Sequence, residues 1–214
     1  MGRRSMNSEL TFRAIFAALV ILASSVRAYY AIRVRKAGEK TSLSKRLREG
    51  VKREGKLSMA LRLITAPFFV AVVILYPIYP QWVAWSALPL PTLLRWVGVG
   101  VGISSLLLLL WVHRSLGRYW STELVVKEGH ELVTSGPYRW VRHPMYSVSF
   151  TLFIALSIVS ANWLLSLLTV ITIISVYARI GKEEAMMVER FGDEYRDYMR
   201  RTGRLLPRLT RKAD

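Results

Sequence analysis

The stretch RHPMYSVSFTLFIALSIVSANWLLSLLTVITIISVY, residues 142–177, decides the fold of this chain. Its apolar part, from Met145 to Tyr177, is longer than one membrane crossing needs, because a spanning helix takes about 20 residues. The break within it is Ser160-Ala161-Asn162, where asparagine favours a turn. The sequence therefore predicts two membrane helices joined in a tight hairpin, with polar residues at the mouth of the first.

Three further apolar runs precede this hairpin: Leu10–Ile32, Leu61–Trp82 and Leu93–Val112. The second is expected to be kinked or ended by its prolines, Pro67, Pro77 and Pro80. Together the five runs predict an all-α integral membrane protein with five transmembrane helices and no Rossmann domain. We divide it into an N-terminal region of three spans, 1–112, and a C-terminal region, 113–214, that carries the candidate chemistry.

Basic residues orient the spans, because loops rich in Lys and Arg stay in the cytoplasm. The 33–62 loop holds eleven of them, the 113–144 loop is also charged and the tail after Tyr177 holds ten, whereas the 81–95 loop has only Arg95. This pattern predicts an outside N-terminus and a cytosolic C-terminus. The tail beyond Glu183 has an amphipathic spacing with a break at Gly192-Asp193, which predicts a cytosolic helix that lies on the bilayer surface.

Composition excludes several classes of function. The chain has 52% hydrophobic residues and a formal net charge of +17, so its positive charge favours anionic lipid headgroups over nucleic acid as a partner. The absence of cysteine excludes disulfides and thiol nucleophiles. The three histidines lack the spacing of metal ligands, so we expect no metal site. The sequence leaves the oligomeric state open.

The mouth of the hairpin, residues 135–147, concentrates polar chemistry. Pro144 can open a helix at its first turn, which puts His143 at or near the N-cap beside Arg142. A helix N-terminus offers free backbone N–H groups and a positive dipole end, and this arrangement favours an anionic ligand. The alternative is an ordinary basic loop that ends in a proline-started helix.

A second group of charges lies at the far end of the hairpin. Arg179 and Glu183 are four residues apart and share a helix face, with Glu184 beside them. Because the hairpin returns this end to the membrane face of His143, the sequence predicts that a cation, two carboxylates and a histidine converge there. A plain salt bridge within one helix is the alternative.

Several separated motifs occur in order along residues 113–208: Gly136-Pro137-Tyr138, Arg142-His143-Pro144-Met145-Tyr146, Asn162, Arg179 with Glu183-Glu184, and Phe191-Gly192-Asp193-Glu194-Tyr195 with Tyr198. This series resembles the isoprenylcysteine carboxyl methyltransferase family, which is related to the membrane phospholipid N-methyltransferases. Ser147-Val148 departs from the family pattern, which often has a glycine close behind the tyrosine.

The resemblance implies a membrane enzyme that uses S-adenosylmethionine at the cytosolic membrane face, under a C-terminal helix, and methylates a lipophilic acceptor. An isoprenylcysteine-type carboxylate is the favoured acceptor, and a phospholipid amine is the alternative. Arg179 resembles the residue that meets the substrate, and Glu184 or a tyrosine could help an amine to lose its proton. The residues expected at the cofactor are His130, Glu131, Leu132, Val133, Tyr138, Arg142, His143, Pro144, Met145, Tyr146 and Glu183.

Two other functions are compatible with the sequence. Some membrane sterol reductases carry a similar Arg-His-Pro-x-Tyr run, and they would use NADPH. A non-catalytic lipid-binding scaffold would keep the fold without the chemistry. The double glutamate and the Phe191-Gly192 motif favour the methyltransferase, and cofactor binding separates the three functions.

Overall fold

The structure, a computed structural model, describes residues 3–36, 56–116 and 132–208. In these ranges it contains the helices α1 Arg3–Lys36, α2 Lys56–Ile78, α3 Thr92–Leu116, α4 Pro144–Ser160, α5 Trp163–Phe191 and α6 Asp193–Arg201. Short 3₁₀ turns lie at Pro80–Trp82, Ala84–Ser86 and Gly136–Arg139. The described residues form no β-strand and only isolated bridges, which confirms the predicted all-α fold without a Rossmann domain.

The first five helices coincide with the five predicted apolar runs. Three segments in the described part of the chain are long and apolar enough to cross a membrane: Asn7–Arg33 within α1, the whole of α3 and the whole of α5. The apolar segment Leu63–Ile78 of α2 and helix α4 are shorter. The fold is thus that of a multi-pass integral membrane protein with three candidate spans, and the count of five crossings stays a prediction.

Contacts between helix ends show how the helices are directed. Glu9 near the start of α1 forms an ion pair with Arg95 near the start of α3, and the rings of Tyr30 and His113, near the ends of the same helices, are 4.7 Å apart. Nε of Arg95 donates a hydrogen bond of 3.0 Å to the carbonyl of Val159, close to the end of α4. Helices α1 and α3 are therefore parallel, and α4 runs against them.

Glycines let α3 pack closely on its neighbours. A Cβ atom on Gly98 would lie 2.9 Å from the side chain of Ile158, and one on Gly102 would lie 2.8 Å from that of Leu19. Small residues allow such close approach between membrane helices. These two glycines therefore fix α3 against α4 and α1.

The predicted hairpin between α4 and α5 is confirmed. Ala161 takes a left-handed conformation with φ 48°, and Asn162 caps α5 by accepting a hydrogen bond from the N–H of Leu165. Nδ2 of Asn162 also donates to the carbonyl of Val83 at 3.1 Å and to Oγ of Ser86 at 2.8 Å. The turn residue expected from the sequence thus also ties the hairpin to the loop between α2 and α3.

The end of α2 differs from the prediction. The helix continues through Pro67 and Pro77 and ends at Ile78, so Trp82 lies in a 3₁₀ turn instead of the span. Membrane helices tolerate proline where neighbours and local adjustments satisfy the freed backbone groups. The helix thus accommodates Pro67 and ends between Pro77 and Pro80, in line with the expectation that a proline could end this run.

The predicted break at Gly192 is confirmed. Helix α5 continues past Glu183 to Phe191, Gly192 follows with φ 56°, and α6 begins at Asp193. Glycine adopts a positive φ without the steric cost that other residues incur. The amphipathic segment expected after Glu183 is thus divided between two helices, and its position on the bilayer surface stays a prediction.

Candidate active site

The mouth of the hairpin has the backbone geometry predicted from the sequence. His143 occupies the N-cap of α4 with φ −122° and ψ 55°, and Pro144 is the first helical residue. Proline suits this position because its fixed φ matches the helix and its missing N–H would have no helical partner. Met145 and Tyr146 follow, so this motif forms the first turn of α4.

Four backbone N–H groups around this helix start have hydrogen-bond partners. Arg142 donates its N–H to the carbonyl of Gly203 at 2.8 Å, and His143 donates to that of Arg204 at 3.1 Å. The N–H groups of Tyr146 and Ser147, in the first turn of α4, both donate to the carbonyl of His143. These four N–H groups are therefore not available to an anion, in contrast to the expectation of free N–H groups at this helix end.

Glu183 joins the two helices of the hairpin. Its Oε1 accepts hydrogen bonds from the hydroxyl of Tyr146 at 2.6 Å and from Nε of Arg179 at 2.7 Å. The side chain is only 9% exposed, so water weakens these bonds little. The predicted pair of Arg179 and Glu183 is confirmed, and Tyr146 brings the start of α4 into the same network.

Glu184 is enclosed by basic side chains. Its Oε1 accepts a hydrogen bond of 2.8 Å from Nε of Arg142, and its Oε2 accepts one from the guanidinium group of Arg204. A buried carboxylate needs such partners, because an unpaired buried charge costs several kcal/mol. The same hydrogen bond raises the pKa of Arg204, which keeps this guanidinium charged. Glu184 therefore anchors α5 to both the start of α4 and the C-terminal segment.

His143 lies between the two carboxylates. Nδ1 is 3.8 Å from Oε2 of Glu183, Nε2 is 3.4 Å from Oε1 of Glu184, and the imidazole stacks on the ring of Tyr146. Nε2 is buried, yet its geometry gives it no hydrogen-bond partner among the described residues. Buried polar atoms usually have a partner, so this nitrogen is a candidate ligand-binding atom.

Residues 202–206, which we call the C-terminal strap, cross the start of α4. The N–H of Gly203 donates to the carbonyl of Trp140 at 3.0 Å, and Oγ of Ser147 donates to the carbonyl of Leu205 at 2.6 Å. Arg142 adds a bond from its guanidinium group to the carbonyl of Thr202. Ser147, which departs from the family pattern, thus holds the strap. The sequence analysis missed the strap because an irregular segment has no periodicity, and Gly203 was the one available signal.

Three tyrosines, Tyr138, Tyr195 and Tyr198, lie behind the site. The hydroxyl of Tyr198 donates to the carbonyl of Tyr138 at 2.6 Å. Burial raises the pKa of Tyr138, Tyr195 and Tyr198 well above the usual range, and the nearby carboxylate of Glu184 raises that of Tyr195 further. These phenols stay protonated at neutral pH, so none of the three is suited to act as a base.

An apolar cavity of about 200 Å³ lies between α2 and α5, with α4 beside it. Phe69 and Phe153 line one part of it, and Arg179 and Lys182 line the part next to the mouth of the hairpin. Arg179 therefore belongs both to this cavity and to the Glu183 network. The arrangement joins an apolar space to a charged site.

The structure brings six of the predicted site residues together: Arg142, His143, Tyr146, Arg179, Glu183 and Glu184. Pro144 is buried, and Met145 packs against the helical core, as does Tyr138 from its 3₁₀ turn. Leu132 and Val133 lead into that turn and are partly buried. His130 and Glu131 lie outside the described residues, and a role at a cofactor stays a prediction for all these positions.

Comparison with protein families identifies this region. Residues 96–189 match the sequence model of the isoprenylcysteine carboxyl methyltransferase (ICMT) family. The matched region contains Arg142, His143, Arg179, Glu183 and Glu184, whereas Arg204 and the rest of the strap lie beyond it. The resemblance found in the sequence is confirmed.

Three curated relatives show what this chain is similar to. It is 30% identical over 97 residues to the nickel-cobalt-cadmium resistance protein NccN of Alcaligenes xylosoxydans xylosoxydans, covering 45% of this chain and 46% of that protein. It is 37% identical over 70 residues to methanethiol S-methyltransferase 1 of Bradyrhizobium diazoefficiens, covering 33% and 24%. It is 35% identical over 79 residues to protein-S-isoprenylcysteine O-methyltransferase of Mus musculus, covering 36% and 28%.

The chain spans less than half the length of each of these relatives. Among solved structures, that of a eukaryotic intramembrane Ras methyltransferase, ICMT, matches with 25% sequence identity and a TM-score of 0.47, covering 71% of this chain and 52% of the other.

Proposed function

We propose that this chain is an S-adenosylmethionine-dependent methyltransferase that acts on a lipid-borne carboxylate of the isoprenylcysteine type. The observation that carries the proposal is the meeting of His143, Glu183 and Arg179 next to an apolar cavity. A zwitterionic cofactor needs charged partners, and a lipophilic acceptor needs an apolar space. Both needs are met within one connected network.

The charged side chains fit the groups of S-adenosylmethionine, which carries a carboxylate, an ammonium group and a sulfonium. The imidazole of His143 lies between Glu183 and Glu184, with Nε2 3.4 Å from Oε1 of Glu184, and we assign this ring to the ligand's carboxylate. The hydrogen bonds that Glu183 accepts end on Oε1, so we assign its Oε2 to the ammonium group. The ring of Tyr146 is suited to a nearby cation.

When bound, the cofactor supplies a methyl group that its sulfonium already activates. The task left to the protein is alignment of the two reactants, which can lower the barrier greatly without a strong base. A carboxylate acceptor is already a nucleophile, and Arg179 can orient it. Glu184 is paired with Arg142 and Arg204, so we assign it a positioning role instead of proton transfer.

The cavity favours an anionic acceptor over an amine. Its lining is mainly apolar, and the two charged side chains in it, Arg179 and Lys182, are both cationic. Glu183 offsets part of this positive charge through its bond to Arg179, and the remaining charge disfavours the cation of a phospholipid amine. The basic segments flanking this end of the bundle favour a cytosolic position for the site.

Calorimetric titration of the purified protein in detergent tests the proposal, with S-adenosylhomocysteine and NADPH titrated separately. We expect S-adenosylhomocysteine to bind and Glu183→Ala to lose that binding. Binding of NADPH alone would instead indicate a reductase. Binding of neither ligand by demonstrably folded protein would favour the non-catalytic scaffold and overturn the proposal.

A further inference from the structure

We propose that Phe69 and Phe153 form the floor of the acceptor cavity and set the length of the lipid chain that it accepts. This inference rests on the proposed function, because it takes the cavity as the place of the acceptor chain. It adds a specificity determinant that lies outside the charged network.

The two rings form a rigid contact between different helices. Phe69 belongs to α2 and Phe153 to α4, and their centroids are 5.3 Å apart with the planes at 64°, an edge-to-face pair. Both rings line the cavity, and both also pack against the buried helical core. Edge-to-face pairs add about 0.5–1.5 kcal/mol to the energy of burial. The pair therefore closes the cavity toward the core.

The length of the cavity follows from α5. Its lining residues on that helix extend from Thr172 to Lys182. At a rise of 1.5 Å per residue this stretch is about 15 Å long. Arg179 and Lys182 lie at one end, and the aromatic pair comes from helices that cross the other part of the lining. A head bound at the cationic end would thus place the far end of its chain near the two rings.

The chemistry of the lining specifies the occupant as a hydrocarbon chain with an anionic head. Three hydroxyl side chains also line the cavity, Thr65, Thr172 and Ser175, and that of Ser175 donates to the carbonyl of Ile171 at 2.8 Å. A hydroxyl that is satisfied within its own helix does not demand a polar group from a ligand. The cationic pair supplies the charge complementarity for a carboxylate.

The test compares thioether carboxylic acids that carry geranyl, farnesyl or geranylgeranyl chains. The wild-type protein should prefer one chain length in kcat/KM. Phe153→Ala and Phe69→Ala should shift the preference toward the next longer chain by at least tenfold in the ratio of kcat/KM values. Trp85→Ala is the matched control, because Trp85 also forms an edge-to-face pair but lies in the turn after α2, away from the cavity lining.

A second readout separates this inference from the proposed function. A farnesyl carboxylate with a diazirine at the chain end is photolysed with the wild-type protein, and the labelled peptides are identified by mass spectrometry. Labelling of the peptides that contain Phe69 and Phe153 supports the proposal that these rings form the floor of the cavity, even if no methyl transfer occurs. An unchanged chain preference in both variants, or terminal label confined to other helices, overturns it. If the wild-type protein does not bind S-adenosylhomocysteine, this result refutes the proposed function but not the role of the two rings.

Discussion

At the scale of single residues, the two adjacent carboxylates have different surroundings. Glu183 accepts bonds from Tyr146 and Arg179, the residue that also lines the cavity, whereas Glu184 is bound by Arg142 and Arg204. Neighbouring residues on a helix point in different directions, so each carboxylate meets its own set of partners. We therefore expect substitutions at the two positions to fail in different ways.

Glu183→Gln should weaken S-adenosylhomocysteine binding while the protein stays folded. The amide keeps the shape and can still accept from Tyr146, but it loses the negative charge assigned to the ligand's ammonium group. Hydrogen bonds to charged groups contribute about 1.5–3 kcal/mol, so the dissociation constant should rise at least about tenfold. Calorimetry measures it, with Glu194→Gln, an exposed carboxylate on α6, as the control. Equal affinities in both variants would refute the assignment.

Arg142→Met should mainly reduce stability. The change leaves Glu184 buried with one fewer partner and removes the bonds to the carbonyls of Met199 and Thr202. Breaking a buried pair costs about 3–5 kcal/mol, and the remaining bond from Arg204 places the expected loss near the lower value. Denaturant titration in detergent measures the free energy of unfolding.

The control for this prediction is Arg196→Met. Arg196 pairs with Asp193, whose side chain is 92% exposed, and such surface pairs contribute little. If both variants lose the same free energy of unfolding, the buried pair of Arg142 and Glu184 contributes no more than an exposed surface pair.

At the scale of elements, the C-terminal strap is predicted to be essential for the site. A Cβ atom on Gly203 would lie 1.7 Å from the carbonyl oxygen of Leu206, which is backbone and cannot turn aside. Gly203→Ala should therefore detach the strap from the start of α4 and lower the affinity for S-adenosylhomocysteine.

Gly181→Ala is the matched control for the strap. A Cβ atom on Gly181 meets nothing within 4 Å, and alanine is favoured over glycine inside a helix by about 0.5–1 kcal/mol. This variant should be as stable as the wild type or more so, with unchanged binding. Limited proteolysis of the C-terminus reports strap release directly, and equal protection of both variants would contradict the role of the strap.

Asn162 lies at the opposite end of the bundle, so a substitution there should lower stability and leave ligand binding unchanged. Asn162→Ala removes the cap of α5 and the two bonds from its amide group to the carbonyl of Val83 and the hydroxyl of Ser86, which still hydrogen-bond to each other. Loss of an N-cap costs about 1 kcal/mol, and each lost hydrogen bond costs about 0.5–1.5 kcal/mol more. The free energy of unfolding should fall while the affinity for S-adenosylhomocysteine at low temperature stays unchanged. Weaker binding would show that the two ends are coupled.

The elements that the sequence predicted correctly are those with local signals. Pro144 marked the start of α4, Asn162 the hairpin and Gly192 the break, because each acts on backbone within a few residues of itself. The strap depends on a backbone pairing between Arg142 and Gly203, far apart in the chain, and no local pattern encodes it. The strap also occupies the N–H groups of Arg142 and His143, which the sequence alone gave no reason to expect.

At the scale of the whole molecule, the two ends of the helical bundle carry different kinds of interactions. One end carries the charged site, the strap and the cationic part of the cavity. The other end is closed by the Asn162 bonds and by Arg95, which joins Glu9 to the carbonyl of Val159. A bundle with the charged site at one end and helix-joining hydrogen bonds at the other suits the proposed enzyme, which would meet its cofactor on one side of a membrane.

The proposed orientation can be tested by labelling from one side of the membrane. Five crossings with an outside N-terminus put the α2–α3 loop outside and α6 in the cytosol. The chain has no cysteine, so single cysteines can be introduced without a background. Gln81 and Glu194 are both exposed, one in the turn after α2 and the other on α6. A membrane-impermeant maleimide should label Gln81→Cys in intact cells and Glu194→Cys only after the membrane is opened. Labelling of both from the same side would rule out five crossings, since an odd number of spans has to separate these residues.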